Sequence, residues 1–111
     1  MADRKLELVP LYDWGMFTEP RPSVIAGPCS AETKEQVMET AKGLKDLGIN
    51  VFRAGIWKPR THPGSFEGIG VEGLGWMQQV KKEYGLKIST EVASERHVFE
   101  CIKFGVDLVW L

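Results

Sequence analysis

Hydrophobic positions along the chain fall into short apolar runs that alternate with segments of helical spacing. Val24-Ile25-Ala26 is a brief apolar run halted by Gly27-Pro28, the pattern of a buried strand. Thr33 followed by Gln36 has the spacing of a capping box, in which the two side chains satisfy each other's unpaired helix-start amides. Val37, Ala41, Leu44 and Leu47 then recur at intervals of four and three, which predicts one apolar helix face, and Gly48 ends the helix. A module now repeats. Gly48, Gly85 and Gly105 each stop a helix and lead into an apolar run, at residues 49–53, 86–91 and 106–111. A second helix is predicted over residues 71–84, its start weakened by Gly73 and Gly75. A third runs from a Ser94 cap through Val98, Cys101 and Ile102 to Phe104. Strands alternating with helices in this way predict a parallel sheet built from βαβ units.

The first 22 residues, which run into the proline-rich TEPRPS at 18–23, read as an N-terminal arm or strand-like layer, and residues 23–111 as the core unit. A closed (β/α)8 barrel takes about 250 residues. The 111 residues here provide three βα units and a fourth strand. The fold class expected is α/β, a TIM (β/α)8 barrel of which the chain supplies roughly the first half, with a small open α/β sheet as the alternative. An apolar ending at Trp110-Leu111 favours a partial barrel, because an unpaired hydrophobic strand invites aggregation.

Composition narrows the partners. Fourteen Lys and Arg against fifteen Asp and Glu leave a net charge of -1, which gives no electrostatic reason to expect nucleic acid or an anionic membrane. No apolar stretch approaches the roughly 20 residues of a bilayer span, and the N-terminus lacks an apolar signal core, so a cytoplasmic protein is expected. Cys101 reads as a small buried hydrophobe.

Chemistry in parallel α/β folds lies at the C-terminal ends of the strands. The first strand ends in Gly27-Pro28-Cys29-Ser30, the second in Arg53-Ala54-Gly55, and the third in Thr90-Glu91. Arg53 follows the apolar Val51 and Phe52, where a charge is costly unless paired, and its planar fork suits a phosphate or carboxylate. A structural ion pair with Glu91 is the competing explanation. Lys58 and Arg60 lie in a Gly- and Pro-rich connection over residues 56–70, of a length uncommon between α/β elements unless it is functional. A solvated basic surface is the alternative there. Together these groups suit a phosphorylated, carboxylate-bearing substrate and a metal.

IAGPCSAE at 25–32, FRAGIWKPRTHPGSFEGIG at 52–70, STEV at 89–92 and DLVWL at 107–111 resemble the type I 3-deoxy-7-phosphoheptulonate (DAHP) synthases, β subfamily. The resemblance implies condensation of phosphoenolpyruvate with erythrose 4-phosphate, the first step of the shikimate pathway, by a homo-oligomeric metal-dependent enzyme. It implies that Cys29 ligates a divalent ion (manganese, iron, zinc or cobalt). Arg53 and Lys58 would hold phosphoenolpyruvate, Lys58 and Glu91 would act near the reacting centre, and Pro59, Arg60 and Thr61 would receive the aldose phosphate. Further metal ligands and another arginine are expected beyond residue 111, so these residues alone would be inactive. His62 and Gly64 depart from the family, where Ser and Tyr are common, and neither His62 nor His97 is expected to bind metal. The nearest rival is 3-deoxy-octulosonate 8-phosphate synthase, which carries a KANRSS-like stretch where this chain has Lys58-Pro59-Arg60-Thr61. A catalytically inactive interaction or regulatory domain is opposed by the joint presence of Cys29, Arg53, Lys58 and Arg60. A simple phosphate-binding α/β module would not bind a transition metal.

Overall fold

A computed structural model describes residues 7–17, 23–57 and 68–111. Strand β1 (Ile25–Ala26) leads through helix α1 (Lys34–Asp46) to β2 (Val51–Arg53). Helix α2 (Val71–Tyr84), β3 (Lys87–Glu91), α3 (Glu95–Lys103) and β4 (Leu108–Trp110) follow. A short 3-10 turn, Leu11–Trp14, precedes them, and Phe17 just after it is buried. The arm is thus a tight turn at 11–14 rather than strand-like among the described residues.

All four strands are parallel and lie in the order β1-β2-β3-β4. A doubly wound sheet reverses its strand order at a switch point. Here neighbours in sequence are neighbours in space, α1 packs on α2, and all three helices contribute to one core. That is the arrangement of the first half of an α/β barrel. The core joins Val37 and Ala41 of α1, Leu74, Met77 and Val80 of α2 and Cys101 of α3 to Phe52 and Ile88 of the sheet.

Residues in register share a face of the sheet, and successive residues alternate between faces. Phe52 pairs with Ile88, and both face the helices. Val51, Arg53, Ser89, Glu91, Leu108 and Trp110 therefore line the opposite face, which is the interior side of a barrel.

Most expected elements form, with differences at their ends. The strands are shorter than the apolar runs, because Ile49, Asn50 and Val106 serve as connections. Leu47 is 78% exposed: it caps α1 instead of extending its buried face. Ile102 is 70% exposed, so α3 buries Cys101 and leaves Ile102 outward. Gly73 does not weaken α2. A β-carbon there would stand 2.5 Å from Ile56 Cγ2 and 2.6 Å from Ile69 Cγ2, so the glycine admits those side chains against the first turn.

Below the sheet's far end, Asp107 Oδ2 accepts the Ile88 amide at 2.9 Å. Its Oδ1 accepts Lys81 Nζ at 3.0 Å, and that ammonium also reaches the Gly105 carbonyl at 2.9 Å. Helix α2 and the entry to β4 are joined there.

Candidate active site

The C-terminal ends of β1, β2, β3 and β4 form one edge, and the segments leaving it are held by further hydrogen bonds. The Gly55 amide donates to the Pro28 carbonyl at 3.3 Å, and the Ala31 amide to the Gly55 carbonyl at 2.8 Å. Pairing between the first two strands thus continues beyond their formal ends and fixes Pro28 to Ala31 against Ala54-Gly55. Gly27 makes this approach possible. It has φ +153°, and a β-carbon there would lie 1.7 Å from the Arg53 carbonyl oxygen.

Cys29 lies in this segment with its side chain exposed. The capping box at the start of α1 holds the segment from the other side. Thr33 Oγ1 accepts the Gln36 amide at 3.1 Å. Gln36 reaches one residue further back than expected: its Oε1 accepts the Glu32 amide at 2.7 Å rather than that of Thr33. Its Nε2 also donates to the Ser30 carbonyl at 3.1 Å. The sequence marks Gln36 as a cap. Its second role, fixing the residue after Cys29, needs the fold.

Arg53 closes β2 on the interior face, half-buried, with its Cζ 5.1 Å from the centroid of the Trp110 ring. The cation therefore rests on an aromatic face two strands away, a contact that stabilises a guanidinium where water is scarce. Sequence alone does not single out Trp110, since a tryptophan in an apolar strand reads as packing. Glu91 ends β3 on the same face, in register with Trp110. Arg53 and Glu91 thus come to one mouth, with Cys29 on the adjoining segment. Lys58, Pro59, Arg60, Thr61 and His62 lie outside the described residues. Among the described residues, no three His, Cys, Asp or Glu side chains gather into a set able to hold a metal.

At the same edge the Gly70 amide donates to the Ile56 carbonyl at 2.8 Å, so the two ends of the long connection meet. Trp57, the first residue past that closure, stacks on His97 with ring centroids 3.9 Å apart and planes 4° from parallel. His97 Nδ1 accepts the Ala93 amide at 3.0 Å, which assigns the ring proton to Nε2. Partial burial, and then the positive charge of Arg96, hold this imidazole below its ordinary range. In sequence His97 is only a residue of the third helix; the fold brings it to Trp57.

Comparison with known proteins agrees with this architecture. A profile described as the DAHP synthetase I family matches residues 17–106. Phospho-2-dehydro-3-deoxyheptonate aldolase of Thermotoga maritima is 47% identical over 81 residues, which cover 73% of this chain and 22% of that protein. The 2-dehydro-3-deoxyphosphooctonate aldolase of Vesicomyosocius okutanii is 42% identical over 84 residues, 69% of this chain and 30% of the relative. A crystal structure of the Thermotoga maritima DAHP synthase superposes with a TM-score of 0.71 at 41% identity, covering 77% of this chain and 24% of that one. The chain thus spans less than a third of the length of these relatives.

Proposed function

Because the chain belongs to the DAHP synthetase I family, we propose that it supplies the opening part of the catalytic barrel of a synthase condensing phosphoenolpyruvate with erythrose 4-phosphate. Residues 23–111 belong to the barrel in this reading and residues 1–22 form its arm. The complete enzyme is a cytoplasmic homo-oligomer. No described helix is long and apolar enough to cross a membrane. The observation that carries the reading is the convergence of Cys29, Arg53 and Glu91 on one strand-end mouth within a family-matched chain.

In the reaction, C3 of phosphoenolpyruvate attacks the aldehyde carbon of erythrose 4-phosphate. Water adds at C2, and inorganic phosphate leaves from the same carbon. Arg53 presents two parallel N–H donors to the carboxylate or phosphate of phosphoenolpyruvate, and its half-buried setting strengthens that contact. Lys58 adds a second positive charge and stabilises the anion as charge moves during the attack. Pro59, Arg60 and Thr61 receive the aldose phosphate, with Arg60 on the phosphate group. Glu91 provides a carboxylate close to the reacting centre.

The chemistry of Cys29 fits a divalent transition ion: it offers an exposed thiol at the mouth, and thiolate sulfur is a soft donor. Cys29 would hold that ion together with ligands from parts of the barrel outside this chain. When bound, it supplies Lewis-acid polarisation of the aldehyde or orientation of the water.

Arabinose 5-phosphate is the rival acceptor, favoured by the similarity to the phosphooctonate aldolase. The decisive experiment gives the complete enzyme phosphoenolpyruvate with each aldose phosphate and measures phosphate release. A higher kcat/KM with erythrose 4-phosphate supports the assignment, and a preference for arabinose 5-phosphate transfers the protein to the other branch. Arg60→Ala should chiefly raise the KM for the aldose phosphate, and Arg53→Ala that for phosphoenolpyruvate. Cys29→Ser should weaken metal affinity and slow condensation, because a hydroxyl is a poorer soft ligand.

A further inference from the structure

We propose that His97 is a positioning residue for the phosphoenolpyruvate end of the site, acting through its stack on Trp57. The inference rests on the reading of Lys58 as a substrate-holding cation.

The argument begins with the geometry of the long connection. Its two ends are joined where the Gly70 amide meets the Ile56 carbonyl. Up to Ile56 the backbone is set by the sheet and by that closure, and Ile56 is fully buried. Trp57 is the first residue beyond it, and Lys58 is bonded to Trp57. Whatever fixes the indole therefore fixes the point from which Lys58 departs.

The surface against which Trp57 lies is unusually well held. The His97 amide donates to Ser94 Oγ at 3.2 Å, within the cap of α3, which anchors its backbone. Its ring is anchored separately by the Ala93 amide on Nδ1. The Val92 amide in turn donates to the Trp110 carbonyl at 2.9 Å, tying this connection to the end of β4. A continuous path thus runs from the ends of β3 and β4 through Ala93 and the imidazole to the indole of the residue preceding Lys58. The Ala93 amide on Nδ1 belongs to the cap of α3, as the Glu32 amide on Gln36 belongs to that of α1, and the near-parallel stack on Trp57 is the contact that capping does not require.

The test uses the complete synthase and reads the KM for phosphoenolpyruvate, kcat and the thermal midpoint. His97→Ala removes the stack and should raise that KM roughly three- to tenfold, the range a lost aromatic pair allows, with a smaller change in kcat. His97→Phe keeps a flat ring and should recover most of the loss, although it cannot accept the Ala93 amide. Trp57→Leu breaks the stack from the other side and should reproduce the His97→Ala rise, which keeps the test decisive if one variant folds poorly. A KM within twofold of the parent in both His97→Ala and Trp57→Leu overturns the proposal. So does a His97→Phe variant as impaired as His97→Ala. Lys58→Ala separates the two levels: a large rise there beside unchanged His97 variants refutes only the positioning role. An unchanged KM in Lys58→Ala removes the substrate-cation reading, and the positioning role falls with it.

Discussion

Gly27→Ala, in the complete enzyme, is the sharpest test of how the mouth is built. The added methyl would lie 1.7 Å from the Arg53 carbonyl oxygen, whereas real β-carbons essentially never come within 3.0 Å of such an atom. The end of β1 or of β2 must therefore move by at least the difference, 3.0 − 1.7 = 1.3 Å. Neither partner is a flexible side-chain tip, so the backbone itself gives way. The hydrogen bonds that extend the pairing, Gly55 to Pro28 and Ala31 to Gly55, are the first to be lost. At about 1 kcal/mol each, with about 1–3 kcal/mol for overpacking, the expected cost is roughly 3–5 kcal/mol. That is a large part of the ~5–15 kcal/mol that holds a typical protein folded. Because the movement separates Cys29 from Arg53, the KM for phosphoenolpyruvate should rise as well. Urea unfolding and steady-state kinetics measure the two effects. Gly75→Ala is the control: open space surrounds that position in α2, so alanine should stabilise by about 0.5–1 kcal/mol. If Gly27→Ala unfolded at the same urea concentration as Gly75→Ala with an unaltered KM, the close approach of β1 to Arg53 would be refuted.

Asp107→Ala should destabilise by about 1–3 kcal/mol, since it strands the Ile88 amide. Lys81→Ala should cost less than ~1 kcal/mol, because that ammonium is 37% exposed and its ion pair is screened; equal losses in urea melts would contradict this ranking. Burial first, and then Glu100, push the Cys101 thiol up to about 11. Folding therefore favours the protonated thiol: its stabilisation is complete below the thiol's ordinary value of 9.0 and is lost as pH rises towards 11, so the urea midpoint should fall over that window and do so less in Cys101→Ala. Trp110→Ala should raise the KM for phosphoenolpyruvate about two- to fivefold by releasing Arg53 from the ring, and Trp110→Phe should lie between it and the parent. No change in either variant would show that the ring does not orient the guanidinium.

Much of this fold is legible in the sequence because the repeating module is local. Thr33 and Ser94 mark helix starts through their own hydroxyls, and both accept the expected amides. Gly85 adopts a left-handed conformation at φ 68°, which ends α2 where the sequence predicts. Misreadings arise where periodicity stands in for a neighbour. Leu47 has the spacing of a buried position, yet α1 ends before its side chain can turn inward. Gly73 looks like a helix defect until Ile56 and Ile69 are seen to occupy the space of its missing side chain. In the candidate site, Cys29, Arg53 and Glu91 are legible because strand ends are recognisable and their residue types are unusual there. Trp110 and His97 are not, because each acts across the fold: Trp110 on a strand twice removed from β2, His97 on an indole forty positions earlier in the chain.

The two faces of the sheet obey different rules, and this explains how one short strand can contain both Phe52 and Arg53. Alternation sends Phe52 into the helix-facing core and Arg53 to the interior mouth, so neighbouring residues meet unlike surroundings. On the outer face the buried hydroxyl is satisfied. Thr90 is fully buried, and its hydroxyl donates to the Ala54 carbonyl at 2.7 Å. On the inner face Ser89, between Arg53 and Leu108 in register, is equally buried, but its hydroxyl has no partner among the described residues. A buried hydroxyl left so costs about 1–3 kcal/mol, which packing within the outer layer must offset. Arg53 belongs to the same account: its charge is half-buried and rests against the Trp110 ring. In the proposed reading, substrate contacts fall on one face of the sheet and most of the helix-packed core on the other. Substitutions at Phe52, Ile88 or Leu74 should therefore lower stability while sparing substrate preference, whereas those at Arg53 and Trp110 should alter KM before they alter the unfolding midpoint.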